Sequence, residues 1–189
     1  FAFFGICIPP YFIPTAQKLL RSSSVKIVTV VGFPLGWENS AGKAASTSAA
    51  VESGADEVDM VINIAALKER HDKFVVEDIA AVVRAASGKP VKVILETCLL
   101  NAEEKTRASH LCVEGGAHFV KTSTGFSTGG ATVGDVALIK QTVGDAAEIK
   151  ASGGIRDYKT ALAMIDAGAT RIGTSSGAEI LLGASNETN

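Results

Sequence analysis

Short apolar runs rich in β-branched residues recur along the chain, and helical spacing fills most of the segments between them. The starts of these runs lie 23 to 34 residues apart. Such spacing is typical of a strand, a crossover helix and a return to the next parallel strand. The predicted strands are Ala2–Ile8, Val25–Val31, Glu57–Ile62, Val91–Glu96, His118–Thr122, Ala147–Ala151 and Thr170–Gly173.

The intervening segments carry helix-start and helix-stop signals. The longest of them, Leu67–Ser87, has helical apolar spacing and is followed by Gly88, a residue favoured just after a helix. Asn101 and Glu104 have the spacing of a capping box at the start of another helix. Further N-cap candidates are Asn39, before a helix through Ser53, and Asp157, before Tyr158–Ala167.

Charged residues on the predicted strands bear on the choice between two parallel-sheet folds. Strands of an open sheet covered on both faces are apolar throughout, whereas several strands here carry a charge at every second position. Opposite charges are present in equal number, which makes their burial tolerable. They are Glu57, Asp59, Glu96, Glu148, Lys92, Lys121, Lys150 and Arg171. The pattern favours an α/β fold of the (β/α)8 TIM barrel type with these side chains in its lumen; an open doubly wound sheet and edge strands with a solvated face are the alternatives.

Composition and charge narrow the class of protein. The 189 residues, 47% hydrophobic and 20% charged with a net charge of −2, predict one globular domain over residues 1–189. No basic run favours nucleic acid, and no apolar run approaches the ~20 residues of a membrane-spanning helix, so neither partner is expected. Cys7, Cys98 and Cys112 are scattered, which predicts neither a disulfide framework nor a zinc site and fits a cytoplasmic location. We expect Cys7 to be a small buried residue.

A lysine at a strand end is the strongest candidate for chemistry. Lys121 ends a predicted strand, and the C-terminal strand ends of barrels host the active sites. Schiff-base formation needs a neutral amine, whereas the ordinary lysine pKa of about 10.4 keeps the amine protonated. A second cation can lower that pKa, and Lys150 ends the following strand. The hypothesis is that Lys121 is the nucleophile and Lys150 its activator; the alternative is two surface lysines.

Other residues suggest a proton relay and a phosphate site. Asp59 lies on a predicted strand, where it could relay protons or serve as a structural ion-pair partner. Gly153-Gly154 and Gly173–Gly177 follow the last two strands, and the second cluster leads into a short predicted helix, Ala178–Leu182. Barrels bind phosphate at such positions. Histidines and carboxylates lack metal-ligand spacing, so no metal is expected.

Seven segments stand in order along nearly the whole chain: Gly5–Ile8, Val31–Gly36, Gly54–Asp59, Val93–Thr97, Phe119–Gly125, Ile149–Arg156 and Arg171–Ser176. Together they resemble the motifs of deoxyribose-phosphate aldolase. The resemblance implies a class I aldolase on a (β/α)8 barrel that reversibly cleaves 2-deoxy-D-ribose 5-phosphate to D-glyceraldehyde 3-phosphate and acetaldehyde, with no cofactor. It implies that Lys121 forms the Schiff base, Lys150 perturbs it and Asp59 relays protons. Residues implied around the substrate phosphate are Gly125, Gly153, Gly154, Gly173, Ser175 and Ser176.

The beginning of the chain departs from the family pattern. Family members start with helical residues and a first barrel strand bearing an Asp-His-Thr-like motif, and neither is matched here, so the chain is expected to be N-terminally short. His118 stands where the family commonly has Asp. Two other functions stay open: another phosphosugar lyase on a phosphate-binding barrel, and a non-catalytic phosphosugar-binding remnant. The resemblance alone suggests a homodimer.

Overall fold

The computed structural model describes residues 1–187, which divide by their contacts into two compact units. Unit 1 comprises Phe1–Val93 and Leu111–His118, and unit 2 comprises Ile94–His110 and the chain from Phe119 onward. The predicted single domain over residues 1–189 stays a prediction. Within the described residues, no helix combines the length and apolar character needed to cross a bilayer.

The described chain contains seven strands in the order β1-β2-β3-β4-β5-β6-β7, and helices alternate with them. The pairs β1–β2, β2–β3, β5–β6 and β6–β7 are parallel. This arrangement agrees with the predicted barrel-type α/β fold. The strands are β1 (Gly5–Ile8), β2 (Lys26–Val31), β3 (Glu57–Val61), β4 (Val91–Ile94), β5 (Phe119–Lys121), β6 (Glu148–Ser152) and β7 (Arg171–Gly173).

The helices differ from prediction at two places. The prediction of one helix over Leu67–Ser87 is wrong, because Arg70 adopts a left-handed φ of 58° that separates α3 from α4. The last helix is longer than the predicted Ala178–Leu182. The helices are α1 (Ile13–Leu19), α2 (Ser40–Glu52), α3 (Ile64–Lys68), α4 (Asp72–Ala85), α5 (Ala102–Glu114), α6 (Val133–Val143), α7 (Tyr158–Asp166) and α8 (Gly177–Glu187).

Side chains cap three of these helices as predicted. Asn39 and Asp157 each accept a hydrogen bond at 2.8 Å from the backbone N–H three residues on, at the starts of α2 and α7. Asn101 and Glu104 form the reciprocal capping box of α5, with both bonds at 2.9 Å. Hydrogen bonds from the Thr160 backbone and side chain hold the pKa of Asp157 below its usual value. The caps of α2 and α5 each stabilise their helix by about 1 kcal/mol.

A buried ion pair joins two helices of unit 1. Lys43 on α2 and Asp78 on α4 are 0% and 1% exposed, and the Lys43 Nζ lies 2.6 Å from Asp78 Oδ2. The same Nζ donates to the Val61 carbonyl at 3.0 Å. A side chain on Gly32 would lie 2.9 Å from the Lys43 Cε, so glycine at that turn makes room for the lysine. The pair fixes how α2 packs against α4.

Two residues that precede strands make the same kind of backbone contact in unit 1. Asp56, before β3, accepts a 2.9 Å hydrogen bond from the Ile27 N–H on β2. His118, before β5, accepts a 3.2 Å hydrogen bond at Nδ1 from the Val91 N–H on β4. Each side chain therefore accepts a hydrogen bond from the N–H of a neighbouring strand. The His118 imidazole accepts this bond before β5 as the Asp56 carboxylate does before β3. This shared role explains how His118 can replace an Asp.

Replacement of His118 by Ala is expected to lower the free energy of unfolding by about 1 kcal/mol, because the Val91 N–H loses its acceptor. Replacement by Asp restores an acceptor and is expected to leave stability near that of the unmodified chain. Urea denaturation of the two variants measures the difference. The control is His110→Ala, which removes an exposed histidine of α5. Equal losses for His118→Ala and His118→Asp would contradict the acceptor role.

Candidate active site

Two lysines lie side by side on β5 and β6. The register pairs Lys121 with Lys150 and Lys150 with Arg171. Residues paired in this way project to the same face of the sheet from strands about 4.8 Å apart. Lys121 is 4% exposed and Lys150 is 5% exposed, so neither is a surface lysine in this structure. The structure thus brings together Lys121, the predicted nucleophile, and Lys150, its predicted activator. Arg171 lies on the next strand.

Backbone hydrogen bonds hold the two lysines in this register. The Leu95 N–H donates to the Lys121 carbonyl at 2.9 Å, and the Thr122 N–H donates to the Lys150 carbonyl at 3.1 Å. The Thr122 hydroxyl donates to the Ser152 carbonyl at 3.1 Å and accepts from the Ser152 N–H at 3.0 Å. β5 ends at Lys121, but the hydrogen bonds between Thr122 and Ser152 continue to connect the chain to β6 beyond the two lysines.

Asp59 belongs to unit 1, where it shares a buried lysine with a second acid. Lys92 Nζ lies 2.9 Å from Asp59 Oδ1 and 2.6 Å from Glu57 Oε2. All three side chains are at most 6% exposed. The ion-pair role that the sequence left open for Asp59 is thus present in the structure, and its proton relay stays a prediction.

Glu148 does not share the burial of the other strand carboxylates. It is exposed at the first residue of β6 and accepts a 2.8 Å hydrogen bond from the Thr170 hydroxyl. The expectation that it is enclosed with the other charges is wrong, because the Glu148 carboxylate lies in solvent and its hydrogen bond is to Thr170, which is also exposed.

The loops after β6 and β7 meet through one hydroxyl. Thr174 Oγ1 donates to the Ile155 carbonyl at 2.6 Å and accepts from the Ser176 N–H at 2.9 Å. This bridge connects the loop of Gly153 and Gly154 to the residues that begin α8. Both glycines have positive φ, 89° and 78°, which side-chain-bearing residues rarely adopt. Two of the predicted phosphate-binding segments are therefore adjacent.

The remaining predicted phosphate residues occupy different surroundings. A Cβ on Gly173 would lie 3.0 Å from Lys150 Cε and 2.6 Å from Ser152 Oγ, so glycine here allows these two side chains to pack against the β7 backbone. Gly125 is exposed with a φ of 87°. Ser175 is also exposed, one residue before Ser176. Gly173 thus lies beside the Lys150 side chain, in addition to its predicted place near the phosphate.

Two buried serines were missed by the sequence analysis. Ser152 lies two residues beyond Lys150 on β6 and shares its face of the strand, and Ser123 follows Lys121 at the same spacing, just past the end of β5. Their hydroxyls are buried and make no hydrogen bond within the described chain. A hydroxyl in that state can donate to, or accept from, a bound oxygen. The repeated Lys-x-Ser spacing on adjacent strands was the signal that could have identified them.

None of the three cysteines forms a disulfide, and they differ in exposure. Cys7 and Cys98 are exposed, so the expectation of a buried Cys7 is wrong, whereas Cys112 is buried and its burial raises the pKa of its thiol. We expect a maleimide to add to two thiols in the native protein and to three in guanidinium, as counted by intact mass, because a buried thiol yields little thiolate. Native labelling of Cys112 would contradict this assignment.

Metal-ligating side chains do not cluster in the described part of the chain. No group of three or more His, Cys, Asp or Glu side chains there is arranged to hold a metal ion. The functional groups that the structure does assemble are amines, hydroxyls and glycine turns at the C-terminal ends of parallel strands. Strand ends of this kind, with paired buried lysines, define an α/β-barrel enzyme of the Schiff-base class.

Comparison with known proteins identifies the family. Residues 5–183 match the model of the DeoC/LacD family aldolases. A deoxyribose-phosphate aldolase from Carboxydothermus hydrogenoformans is 59% identical over 187 residues, 97% of this chain and 82% of that protein. One from Geobacillus sp. is 55% identical over 190 residues, 100% of this chain and 85% of that protein. The chain belongs to the DeoC/LacD aldolase family, as its motifs predicted.

Solved structures agree with this assignment. The aldolase QR15 matches with a TM-score of 0.92 and 42% identity, over 98% of this chain and 83% of that chain. The deoxyribose phosphate aldolase from Aeropyrum pernix, described as a unique tetrameric structure, matches with a TM-score of 0.88 and 30% identity over 97% and 78% of the two chains. The predicted fold class is therefore confirmed by aldolase structures.

Proposed function

We propose that this chain is a class I aldolase that reversibly cleaves 2-deoxy-D-ribose 5-phosphate to D-glyceraldehyde 3-phosphate and acetaldehyde. One observation of the structure carries the proposal: Lys121 and Lys150 are register partners on adjacent strands and both are buried. Low exposure and a neighbouring cation are the two conditions that favour a neutral amine. The names of the curated relatives support the choice of substrate.

The reaction begins at the Lys121 amine. Its Nζ lone pair attacks the substrate C1 aldehyde, and loss of water from the carbinolamine gives an iminium. Removal of the C3 hydroxyl proton then breaks the C2–C3 bond, and the bonding electrons move toward the iminium to form an enamine while glyceraldehyde 3-phosphate leaves. Protonation of the enamine at C2 and addition of water release acetaldehyde and regenerate the amine. We assign these proton transfers to Asp59, Lys150 and water.

The phosphate end of the substrate is assigned to the loops after β5, β6 and β7. Gly125, Gly153 and Gly154 permit close approach of backbone N–H groups, and Ser175 and Ser176 precede the N-terminus of α8. Gly173 is assigned to the phosphate end with them, and its lack of a side chain lets Lys150 pack close against it. A phosphate held at these loops fixes the substrate carbons relative to Lys121, which lowers the entropic part of the barrier.

Borohydride reduction with acetaldehyde tests the covalent step, and a substrate panel tests the specificity. We expect reduction to add an ethyl group to Lys121, located by peptide mapping, and turnover of 2-deoxyribose 5-phosphate to exceed that of other sugar phosphates. Preference for another sugar phosphate would point to a different phosphosugar lyase. Stabilisation by phosphate ligands without turnover or trapping would point to the non-catalytic alternative.

Two further assignments complete the proposal. We place the enzyme in the cytoplasm, which agrees with three cysteines that form no disulfide. We also propose a homodimer in solution, testable by sedimentation; the relative from Aeropyrum pernix is described as tetrameric.

A further inference from the structure

We propose that Glu96 is a positioning residue for the aldol reaction, because its carboxylate holds the turn that follows Lys121. Glu96 directly follows Leu95, whose backbone N–H donates to Lys121, and it is only 3% exposed. This inference rests on the proposed function, since it concerns how the phosphorylated substrate is aligned with the amine.

The Glu96 carboxylate binds one residue of the turn twice. Oε1 accepts a 3.3 Å hydrogen bond from the Thr124 backbone N–H, and Oε2 accepts from the Thr124 hydroxyl. The same hydroxyl accepts a 3.0 Å hydrogen bond from the Phe126 N–H. Glu96 and Thr124 thus form a short hydrogen-bonded chain that encloses Gly125, the residue between Thr124 and Phe126. We call this arrangement the β5 turn clamp.

Cys98 extends the β5 turn clamp toward the following loop. Its thiol lies 3.9 Å from Glu96 Oε1 and 3.3 Å from the Ser127 hydroxyl. A Cβ on Gly129 would lie 2.8 Å from the Cys98 Cβ, so the loop passes close against this side chain. The Glu96 carboxylate therefore accepts hydrogen bonds from Thr124 in the turn and from Cys98, two residues after Glu96 itself. A buried acidic group requires such donors.

The backbone of Glu96 is adapted to this role. Its φ of 56° and ψ of 63° are left-handed, a conformation that residues other than glycine rarely adopt. The residue after it remains in the hydrogen-bonded frame, because the Thr97 N–H donates to the Thr122 carbonyl at 3.0 Å. A left-handed glutamate costs backbone energy, and such residues are typical of functional sites. Here the conformation directs the Glu96 side chain toward Thr124.

The position of the clamp gives its function. Lys121 is held by the β5 ladder, whereas Gly125 is held through Thr124 and Glu96. The clamp therefore sets the distance between the strand that carries the amine and the glycine assigned to the phosphate end. Loss of the carboxylate should misalign phosphorylated substrate while leaving the amine reactive, and misplacement by about 1 Å can cost on the order of 100-fold in rate.

The test compares Glu96→Gln with the unmodified enzyme in three assays. We expect kcat/KM for 2-deoxyribose 5-phosphate to fall on the order of 100-fold, while turnover of unphosphorylated 2-deoxyribose and the rate of borohydride trapping with acetaldehyde change little. Glu96→Asp keeps a carboxylate and is expected to recover part of the activity. Glu148→Gln is the matched control, since it removes an exposed carboxylate that also accepts from a threonine hydroxyl.

Thr124→Val removes the hydroxyl that donates to Glu96 at nearly constant volume, and it provides the test if Glu96→Gln does not fold. The double variant is expected to lose no more kcat/KM than Glu96→Gln alone, because the two residues act as one unit. Unchanged turnover in either folded single variant, or a trapping rate that falls by the same factor as turnover, would overturn the positioning role. Failure of the unmodified enzyme to cleave 2-deoxyribose 5-phosphate would instead overturn the proposed function.

Discussion

Lys121→Arg is expected to lose aldolase turnover by a factor on the order of 10³ or more. Arginine keeps much of the side-chain length, but its guanidinium stays protonated and cannot form an imine. The variant therefore removes the nucleophile while retaining a long basic side chain. A coupled assay for glyceraldehyde 3-phosphate measures turnover, and intact mass after borohydride with acetaldehyde measures the adduct.

Two variants serve as comparisons for Lys121→Arg. Lys159→Arg changes an exposed lysine of unit 2 and is expected to keep full turnover and the adduct. Lys150→Met leaves the nucleophile but removes its register partner, so the proposed activating role of Lys150 predicts lower turnover with Lys121 still present. An ethyl adduct that survives in Lys121→Arg would show that another lysine carries the chemistry.

Asp78→Ala is expected to lower the free energy of unfolding by about 3–5 kcal/mol. The reason is that Lys43, which is 0% exposed, would be left in the interior with its carboxylate partner removed. For a chain of this length the loss corresponds to a fall in Tm of about 6–20 °C. Calorimetry or circular dichroism of the purified variant gives the value.

A double variant distinguishes charge burial from simple loss of packing. Lys43→Met with Asp78→Leu replaces both charges by apolar groups of similar volume and is expected to be near neutral or stabilising. Asp145→Ala is the exposed counterpart: it removes the partner of Lys140 in a pair that is 43% and 104% exposed, and it should cost less than about 1 kcal/mol. Equal destabilisation by Asp78→Ala and Asp145→Ala would contradict the role of burial.

Periodicity predicted the parts of the site that depend on strand geometry. Side chains alternate along a strand, so Lys121 and Lys150 could be placed on one face from the sequence, and the register confirms that they pair. The helix caps at Asn39, Asn101 and Asp157 were also predictable, because a cap depends on residues only three positions apart.

Features outside the periodic pattern could not be predicted in this way. The left-handed conformation of Arg70 splits a segment whose apolar spacing is continuous, and that of Glu96 turns a strand-end acid toward Thr124. Neither conformation leaves a mark in periodicity or composition, and Glu96 bonds to a residue 28 positions away in the chain. The exposure of Glu148 could likewise not be predicted from the alternation along its strand.

The alternation along β5 and β6 has a consequence for sequence change in this enzyme. Val120 and Ile149 are buried on the face opposite to the lysines. Insertion or deletion of one residue within either strand would exchange the two faces, turning an amine toward the helices and an aliphatic side chain toward the substrate. We therefore expect insertions and deletions in the connecting loops and not within β5 or β6. The spacing of the lysines and that of the buried aliphatic residues in these strands must be kept together.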